Sequence, residues 1–102
     1  MNDDIGPMYD PPHPGEIIAD VYLAEWEMSA RELAIELGVA PSTLNRILNR
    51  TARVTPEMAL RLSKALGASA ESWLTMQQAY DLWHARQTVD LAGVRRIERP
   101  AA

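Results

Sequence analysis

Apolar residues recur at intervals of three and four along five short segments of this chain, and this spacing predicts five amphipathic helices. The first helix is predicted from Pro14 to Glu25, and the fifth begins after Ser69 and ends near Gln87. No alternation of apolar and polar residues is long enough to predict a strand. Helices this short are unstable alone in water, so they must pack together. The pattern therefore predicts a compact all-α domain whose first four helices surround a small core.

Residues that favour helix ends lie at the boundaries of these segments. Ser29 is followed three residues later by Glu32, which is the spacing of a capping box at the start of the second helix. Thr55 precedes Pro56 at the predicted start of the fourth helix, and Gly67 follows the last apolar residue of that helix. These signals support the boundaries that the apolar spacing indicates.

The most informative stretch is residues 29–48, which is predicted to form two short helices joined by a tight turn at Gly38. Two helices that meet steeply require a small residue where they cross, and Ala34 provides one. They also require a residue that accepts positive φ at the corner, and Gly38 provides it. Leu44 and Ile47 form the inner face of the second helix. The pattern predicts a helix-turn-helix motif.

The outer face of the second helix of this motif is short-chained and polar. Such a helix fits the DNA major groove, where hydroxyl, amide and guanidinium groups contact base edges. A plain helical hairpin inside a bundle shares the apolar spacing and the glycine corner, and it remains the alternative. The polar outward face favours DNA binding over that alternative. The outward residues are Ser42, Thr43, Asn45, Arg46 and Asn49.

The net charge of −4 is unusual for a protein that binds DNA, but the charges are unevenly distributed. Residues 1–27 contain seven acidic residues and no Lys or Arg, whereas residues 28–66 contain six basic residues and three acidic ones. In the second helix of the motif and the loop after it, the only charged residues are Arg46, Arg50 and Arg53. This distribution predicts a basic surface around that helix and an acidic surface away from it. A merely solvated charged face is the simpler alternative.

Length and composition fit one globular domain with two flanking segments. Residues 1–12 contain three prolines and no periodicity, which predicts an extended or disordered arm. Residues 13–87 are predicted to form the helix-turn-helix domain, and residues 88–102 a C-terminal appendage. There is no apolar run of membrane-spanning length, no signal-peptide pattern and no cysteine, so we expect a cytoplasmic protein that does not contact a membrane.

The sequence offers little support for catalysis or metal binding. The two histidines, His13 and His84, are far apart, and neither has a His or Cys neighbour at metal-ligand spacing. We interpret His13 as a helix-start residue and His84 as a surface residue. Ser29 and Ser42 lack any nucleophile signature, and there is no glycine-rich phosphate loop. We therefore expect no enzymatic activity, no cofactor and no metal.

Aromatic residues on the fifth helix indicate core packing at one end and self-association at the other. Trp73 lies early in the helix beside Leu74 and is predicted to be buried. Trp83 lies near the helix end, where a core role and an interface role are equally compatible with the sequence. One helix in one groove reads few base pairs, so a symmetric dimer is expected to read two half-sites. The residues predicted for the dimer interface are Tyr80, Trp83 and Leu91.

The chain resembles the HigA-type antitoxins of bacterial toxin–antitoxin modules across residues 11–86. The features that point to HigA are PPHPGEII at 11–18 and ESWLTMQQAYDLW at 71–83. The wider Cro/CI-like, XRE-type helix-turn-helix class is matched by SARELAIELGVAPSTLNRILN at 29–49 and TPEMALRLSKALG at 55–67. The resemblance implies a lambda-repressor-like five-helix fold.

The same resemblance implies a function in transcription and toxin control. It implies a homodimer that binds double-stranded DNA at a palindromic operator and represses its own gene. It also implies a partner, a HigB-like toxin that cleaves mRNA. Two alternatives remain, a stand-alone or phage-type regulator without a toxin and a helical adaptor that binds only protein.

The resemblance further assigns DNA contacts to residues of the motif. Members of the class often have a long polar side chain where this chain has Pro41 and Ser42, so base reading is expected to depend on Arg46 and on DNA shape. The residues predicted to contact base edges are Ala40, Pro41, Ser42, Thr43 and Arg46. The residues predicted to contact phosphates are Ser29, Arg31, Asn45, Asn49, Arg50 and Arg53.

Overall fold

The computed structural model describes residues 10–99, which form five helices and no strand. This architecture confirms the predicted all-α fold class. Most of the predicted N-terminal arm lies outside the described residues. Within the part of the chain that is described, no helix is both long and apolar enough to cross a membrane. Helix α1 spans Pro14–Ile17 and continues as a π-helical segment over Ile18–Leu23, and it is followed by α2 (Ala30–Leu37), α3 (Pro41–Leu48), α4 (Pro56–Leu66) and α5 (Ala70–Thr88).

The helices begin at the capping residues that the sequence indicates. Ser29 Oγ accepts a hydrogen bond from the backbone N–H of Glu32 at 3.0 Å, and the Glu32 carboxylate accepts one from the backbone N–H of Ser29 at 2.8 Å. This confirms the predicted capping box. The hydroxyls of Thr55 and Ser69 each accept a hydrogen bond from the N–H three residues ahead, at the starts of α4 and α5. Each such cap stabilises its helix by about 1 kcal/mol.

The turn between α2 and α3 depends on the left-handed backbone of Gly38, whose φ is 72°. The N–H groups of Gly38 and Val39 donate to the carbonyls of Ile35 and Ala34 at 3.1 and 3.0 Å, which closes the end of α2. An L-residue in place of glycine at this corner would lower the free energy of unfolding by about 1–2 kcal/mol. The turn therefore forms where the sequence predicts it.

The hydrophobic core lies between the helices, and α5 takes part in it. Trp73 is 1% exposed, which confirms its predicted burial, and its ring lies 5.9 Å from that of Tyr22 on the first helix. The core is thus closed by the first turn of α5 in addition to the four preceding helices. The buried apolar residues are Ile18, Leu33, Ala34, Leu37, Leu44, Ile47, Val54, Met58, Ala59, Leu62, Leu66 and Trp73.

The first helix is not the single regular α-helix that the sequence predicts over residues 14–25. Its middle part, Ile18–Leu23, is π-helical. A π-turn holds one more residue than an α-turn, so a face inferred from regular α spacing drifts around the helix. Ile18 is completely buried, whereas Val21, an apolar residue of the same helix, is 45% exposed.

Candidate nucleic-acid interface

Helices α2 and α3 form the predicted helix-turn-helix. Ala34 of α2 is completely buried, and α2 packs against α3. Leu44 and Ile47 anchor α3 in the core with at most 2% of their surfaces exposed. Because these anchors lie on one side of α3, the opposite side of this helix faces the solvent.

The solvent face of α3 carries the residues predicted to contact base edges. Ala40 precedes the helix and Pro41 occupies its first turn, and both are exposed. Ser42 is exposed and Thr43 is half-buried. The side chain of Arg46 is exposed, and within residues 10–99 no carboxylate pairs with it. Its guanidinium is therefore available to a partner outside the chain.

Helix α3 ends in a turn that places Arg50 in an unusual conformation. The N–H of Arg50 donates to the Ile47 carbonyl at 3.0 Å, and the N–H of Thr51 donates to the Arg46 carbonyl at 2.9 Å. These two bonds form a Schellman motif, in which the residue at the position of Arg50 is left-handed and is usually glycine. Arg50 has a φ of 65°. A charged side chain therefore occupies a position where the backbone conformation favours glycine.

The guanidinium of Arg50 pairs with a carboxylate from α1. Nη1 of Arg50 donates to Oε2 of Glu16 at 2.6 Å, and this hydrogen bond raises the pKa of Arg50. The acidic residues of positions 1–27 were expected to lie away from the arginines of the motif, and for Glu16 this expectation is wrong. The physical reason is that α1 packs against α3, which brings the first turn of α1 beside Arg50.

Two residues at the start of α1 explain this packing. Gly15 lies against the end of α3, where an added Cβ would be 2.9 Å from the Ile47 carbonyl carbon and nearer still to its oxygen. His13 is 2% exposed, and its Nδ1 accepts a hydrogen bond from the Gly15 N–H at 2.9 Å. Burial lowers the pKa of His13, and a hydrogen bond to the Ala52 backbone opposes this effect. The interpretation of His13 as a helix-start residue is confirmed.

The second arginine of the loop after α3 pairs with a carboxylate of α5. Nη2 and Nε of Arg53 lie 2.6 and 2.8 Å from Oδ2 of Asp81. Gln77 Nε2 donates to the other oxygen of Asp81 at 3.0 Å, and Gln77 Oε1 accepts from the Val54 N–H at 2.8 Å. Gln77 is 1% exposed. This chain of contacts fixes the loop to α5 through a buried amide.

The remaining residues predicted to contact phosphates are all on the surface. Ser29 lies at the start of α2, where its hydroxyl is used by the capping box. Arg31 follows in the first turn of α2 and is exposed. Asn45 and Asn49 are exposed on α3 and at its end. Their exposure is compatible with phosphate contacts, which remain predictions.

The residues predicted for a dimer interface lie in different environments. Tyr80 is half-buried, and its ring lies edge-on to His13 with centroids 4.8 Å apart. Trp83 is half-buried and lies 5.1 Å from the ring of His84. Leu91 follows α5 and is 65% exposed. The two aromatic residues thus contact their own chain, whereas Leu91 is open to a partner.

The second histidine lies near the surface, as the sequence indicates. The side chain of His84 is 45% exposed, and its Nε2 lies 3.9 Å from a carboxylate oxygen of Asp10. Across residues 10–99, no group of three or more His, Cys, Asp or Glu side chains is arranged to hold a metal ion.

Little in the sequence indicates that the loop after α3 contacts Glu16, Gln77 and Asp81. In the sequence, Glu16 has only the signature of an acidic residue that favours a helix N-terminus. Gln77 and Asp81 are four residues apart and therefore share one face of α5. The one available signal was that Gln77 lies between Trp73 and Tyr80 on a face of otherwise apolar character, where a polar residue must find a partner.

Comparison with known proteins adds to this geometry. A family model described as Helix-turn-helix matches residues 22–73, which include α2, α3 and α4. The HTH-type transcriptional regulator YddM of Escherichia coli K12 is 43% identical over 88% of this chain and 95% of its own length. The structure of antitoxin GraA in complex with its operator matches with a TM-score of 0.78 and 40% identity, covering 92% of this chain and 95% of GraA. Pseudomonas aeruginosa antitoxin HigA with the higBA promoter matches with a TM-score of 0.73 and 36% identity, over 76% and 84% of the two chains.

Proposed function

This chain belongs to the DNA-binding helix-turn-helix family and resembles the HigA-type antitoxins within it, and from this premise we propose that it is an autorepressor and antitoxin. It binds a palindromic operator in its own promoter as a homodimer, and it neutralises a HigB-like toxin that cleaves mRNA. It acts by binding rather than by catalysis, in the cytoplasm. The solved relatives named with an operator or a promoter support the DNA-binding part of this proposal.

The observation that carries the proposal is the solvent face of α3. It is polar, and Arg46 projects from it without a carboxylate partner among the described residues. An arginine fork matches the O6 and N7 acceptors of guanine in the major groove. Arg46 is therefore proposed as the main base reader, with Ser42 and Thr43 as shorter contacts.

The DNA-binding proposal is tested with the promoter of the chain's own gene. Fluorescence anisotropy on a labelled promoter duplex should show binding that is at least about a thousandfold tighter than binding to a scrambled duplex. Equal affinity for both duplexes would contradict sequence-specific binding. No binding to either would favour the helical adaptor.

A homodimer is proposed because one α3 helix contacts too few base pairs for useful specificity. A two-fold dimer places two α3 helices in successive major grooves, about one helical turn or a multiple of it apart. Tyr80, Trp83 and Leu91 remain the proposed interface. Sedimentation of the full chain carrying Leu91→Ser should show weakened self-association, and an unchanged dimer would place the interface elsewhere.

The toxin partner is proposed to contact the acidic surface away from α3. A ribonuclease must hold anionic RNA, so its surface is basic, and opposite charge accelerates encounter. Asp20, Glu25 and Glu27 are exposed and lie outside the helix-turn-helix. Replacing them with Asn or Gln should slow association with the product of the adjacent toxin-like gene, most strongly at low salt, and leave promoter binding nearly unchanged. An on-rate that does not respond would exclude this surface.

A stand-alone regulator is the second candidate, because the relative YddM is named as a transcriptional regulator. The two candidates differ in whether a toxin is neutralised. Co-expression of the chain with the neighbouring gene product should restore growth if that product is a toxin. If no neighbouring product arrests growth, the regulator function alone remains.

A further inference from the structure

We propose that Glu16 increases the DNA specificity of this protein by masking Arg50 from non-specific phosphates. Its carboxylate is hydrogen-bonded to the Arg50 guanidinium in the free protein. Arg50 therefore contributes a phosphate contact only when operator binding brings α3 deep enough into the major groove to displace Glu16. The proposal rests on the proposed DNA-binding function and adds to it a residue that suppresses binding to other sequences.

The first support is the conformation of Arg50. It lies at the left-handed position of the turn that ends α3, where glycine is favoured. Residues held in such conformations cluster at functional sites. The turn also places Arg50 directly after the helix predicted to lie in the major groove, so its side chain starts near the path of the DNA backbone.

The second support is the placement of Glu16, which the fold fixes from two sides. His13 caps the start of α1 through the Gly15 N–H at 2.9 Å. Gly15 lets the backbone of α1 approach the Ile47 carbonyl more closely than a side chain would allow. Glu16 follows Gly15 directly, so its backbone lies beside the end of α3, and its Oε2 lies 2.6 Å from Arg50 Nη1.

The third support is that a phosphate can replace the Glu16 carboxylate as the partner of Arg50. The side chains of Arg50 and Glu16 are 53% and 37% exposed, and exposed ion pairs contribute little to stability. A phosphate offers the same charge-assisted hydrogen bonds as a carboxylate and can replace it. The Arg53–Asp81 pair differs, because Asp81 is also bound by the buried amide of Gln77. Of the two arginines, Arg50 is therefore the one whose carboxylate partner lacks a second hydrogen bond from a buried side chain.

The test uses Glu16→Gln in the full chain and a duplex of random sequence as the probe. If Glu16 masks Arg50, removing its charge adds one phosphate contact to the non-specific complex. The slope of log affinity against log salt should then steepen by about 0.9 for the random duplex. The slope for the promoter duplex should stay unchanged, because Arg50 already contacts phosphate in that complex. The ratio of promoter affinity to random-duplex affinity should fall.

Glu57→Gln is the matched control. Glu57 pairs with Arg61 at 2.9 Å on α4, so this variant removes the same charge and a comparable ion pair at another site. It should leave the salt slope for the random duplex unchanged. A second control combines Glu16→Gln with Arg50→Ala, in which the steeper slope should disappear.

Each outcome has one meaning. If Glu16→Gln behaves like Glu57→Gln on the random duplex, Glu16 does not mask Arg50 and the inference is wrong. If Glu16→Gln weakens binding at every salt concentration while the melting temperature is unchanged, Glu16 positions Arg50 for DNA and the inference is also wrong. If the wild-type chain binds neither duplex, the proposed function itself fails.

Discussion

The solvent face of α3 and the α3–α4 loop (residues 49–55) are adjacent, and both carry arginines, but they differ in how those arginines are used. Arg46 on α3 has no carboxylate partner among residues 10–99. Arg50 and Arg53 in the loop each contact a carboxylate at 2.6 Å. Exposure alone does not distinguish these arginines, since all three are exposed. The difference is that the guanidinium of Arg46 is available to an outside partner, whereas those of Arg50 and Arg53 are already paired within the chain.

The two regions also differ in what determines their conformation. Helix α3 follows local rules, with Pro41 in its first turn and Leu44 and Ile47 on its inner face. The α3–α4 loop places Arg50 in a left-handed conformation that residues other than glycine seldom adopt, and Arg50 and Arg53 of this loop pair with Glu16 of α1 and Asp81 of α5. The solvent face of α3 therefore follows from a short stretch of sequence, whereas the conformation of the loop depends on how α1 and α5 pack around it.

The largest effect is expected from Gly15→Ala, which removes the contact that seats α1 beside the loop. The new Cβ would collide with the backbone carbonyl of Ile47, which cannot move as a side chain can. We expect the free energy of unfolding to fall by about 3 kcal/mol. Gly93→Ala is the control, because a Cβ there meets nothing within 4 Å. Equal stability of the two variants in urea would show that α1 is not seated as described.

Arg46→Ala is expected to act on binding and not on folding, since its side chain is exposed and forms no ion pair with a carboxylate within residues 10–99. Operator binding should weaken by about 1–3 kcal/mol, with relaxed preference at one base pair in each half-site. Anisotropy on the promoter duplex and its single-base variants measures both effects. If the preference stays at the wild-type ratio, Arg46 is not a base reader.

The sequence predicts the helices of the motif and their boundaries, but it does not predict the contacts of the α3–α4 loop. The capping residues Ser29, Thr55 and Ser69 and the Gly38 corner are local signals, and they gave the helix boundaries correctly. The partner of Arg50 lies 34 residues earlier in the chain, and that of Arg53 lies 28 residues later. Such pairs depend on how helices pack, which no local pattern encodes. The π-helical segment was missed for a related reason, because apolar spacing assumes a regular turn.

Arg50→Ala and Arg53→Ala are expected to have a smaller effect on promoter binding, because each removes a phosphate contact and no contact to a base edge. Each should make the salt dependence of promoter binding shallower by about 0.9 for the lost phosphate contact. The preference among single-base variants of the promoter should stay unchanged, in contrast to Arg46→Ala. An unchanged slope would leave the arginine with only its intramolecular ion pair.

The smallest effect is expected from pH, through His13. Burial lowers the pKa of His13 below its ordinary value of 6.5, so the folded chain binds this proton less readily than the unfolded chain. The free energy of unfolding therefore keeps its full value above pH 6.5, where His13 is neutral in both states. It decreases as the pH falls from there toward the folded-state pKa of His13. Melting temperatures between about pH 7.5 and 5.5 should show this decrease. His13→Asn, which can still cap a helix but does not titrate, should have a flatter profile.

Methylation interference on the promoter duplex tests most directly whether α3 reads DNA through Arg46. Methylation of guanine N7 removes an acceptor that an arginine fork requires. We expect one guanine in each half-site, the two related by symmetry, at which methylation blocks the wild-type chain but no longer affects the residual binding of Arg46→Ala. If Arg46→Ala retains the wild-type interference pattern, another residue reads these bases and the proposed role of Arg46 is wrong.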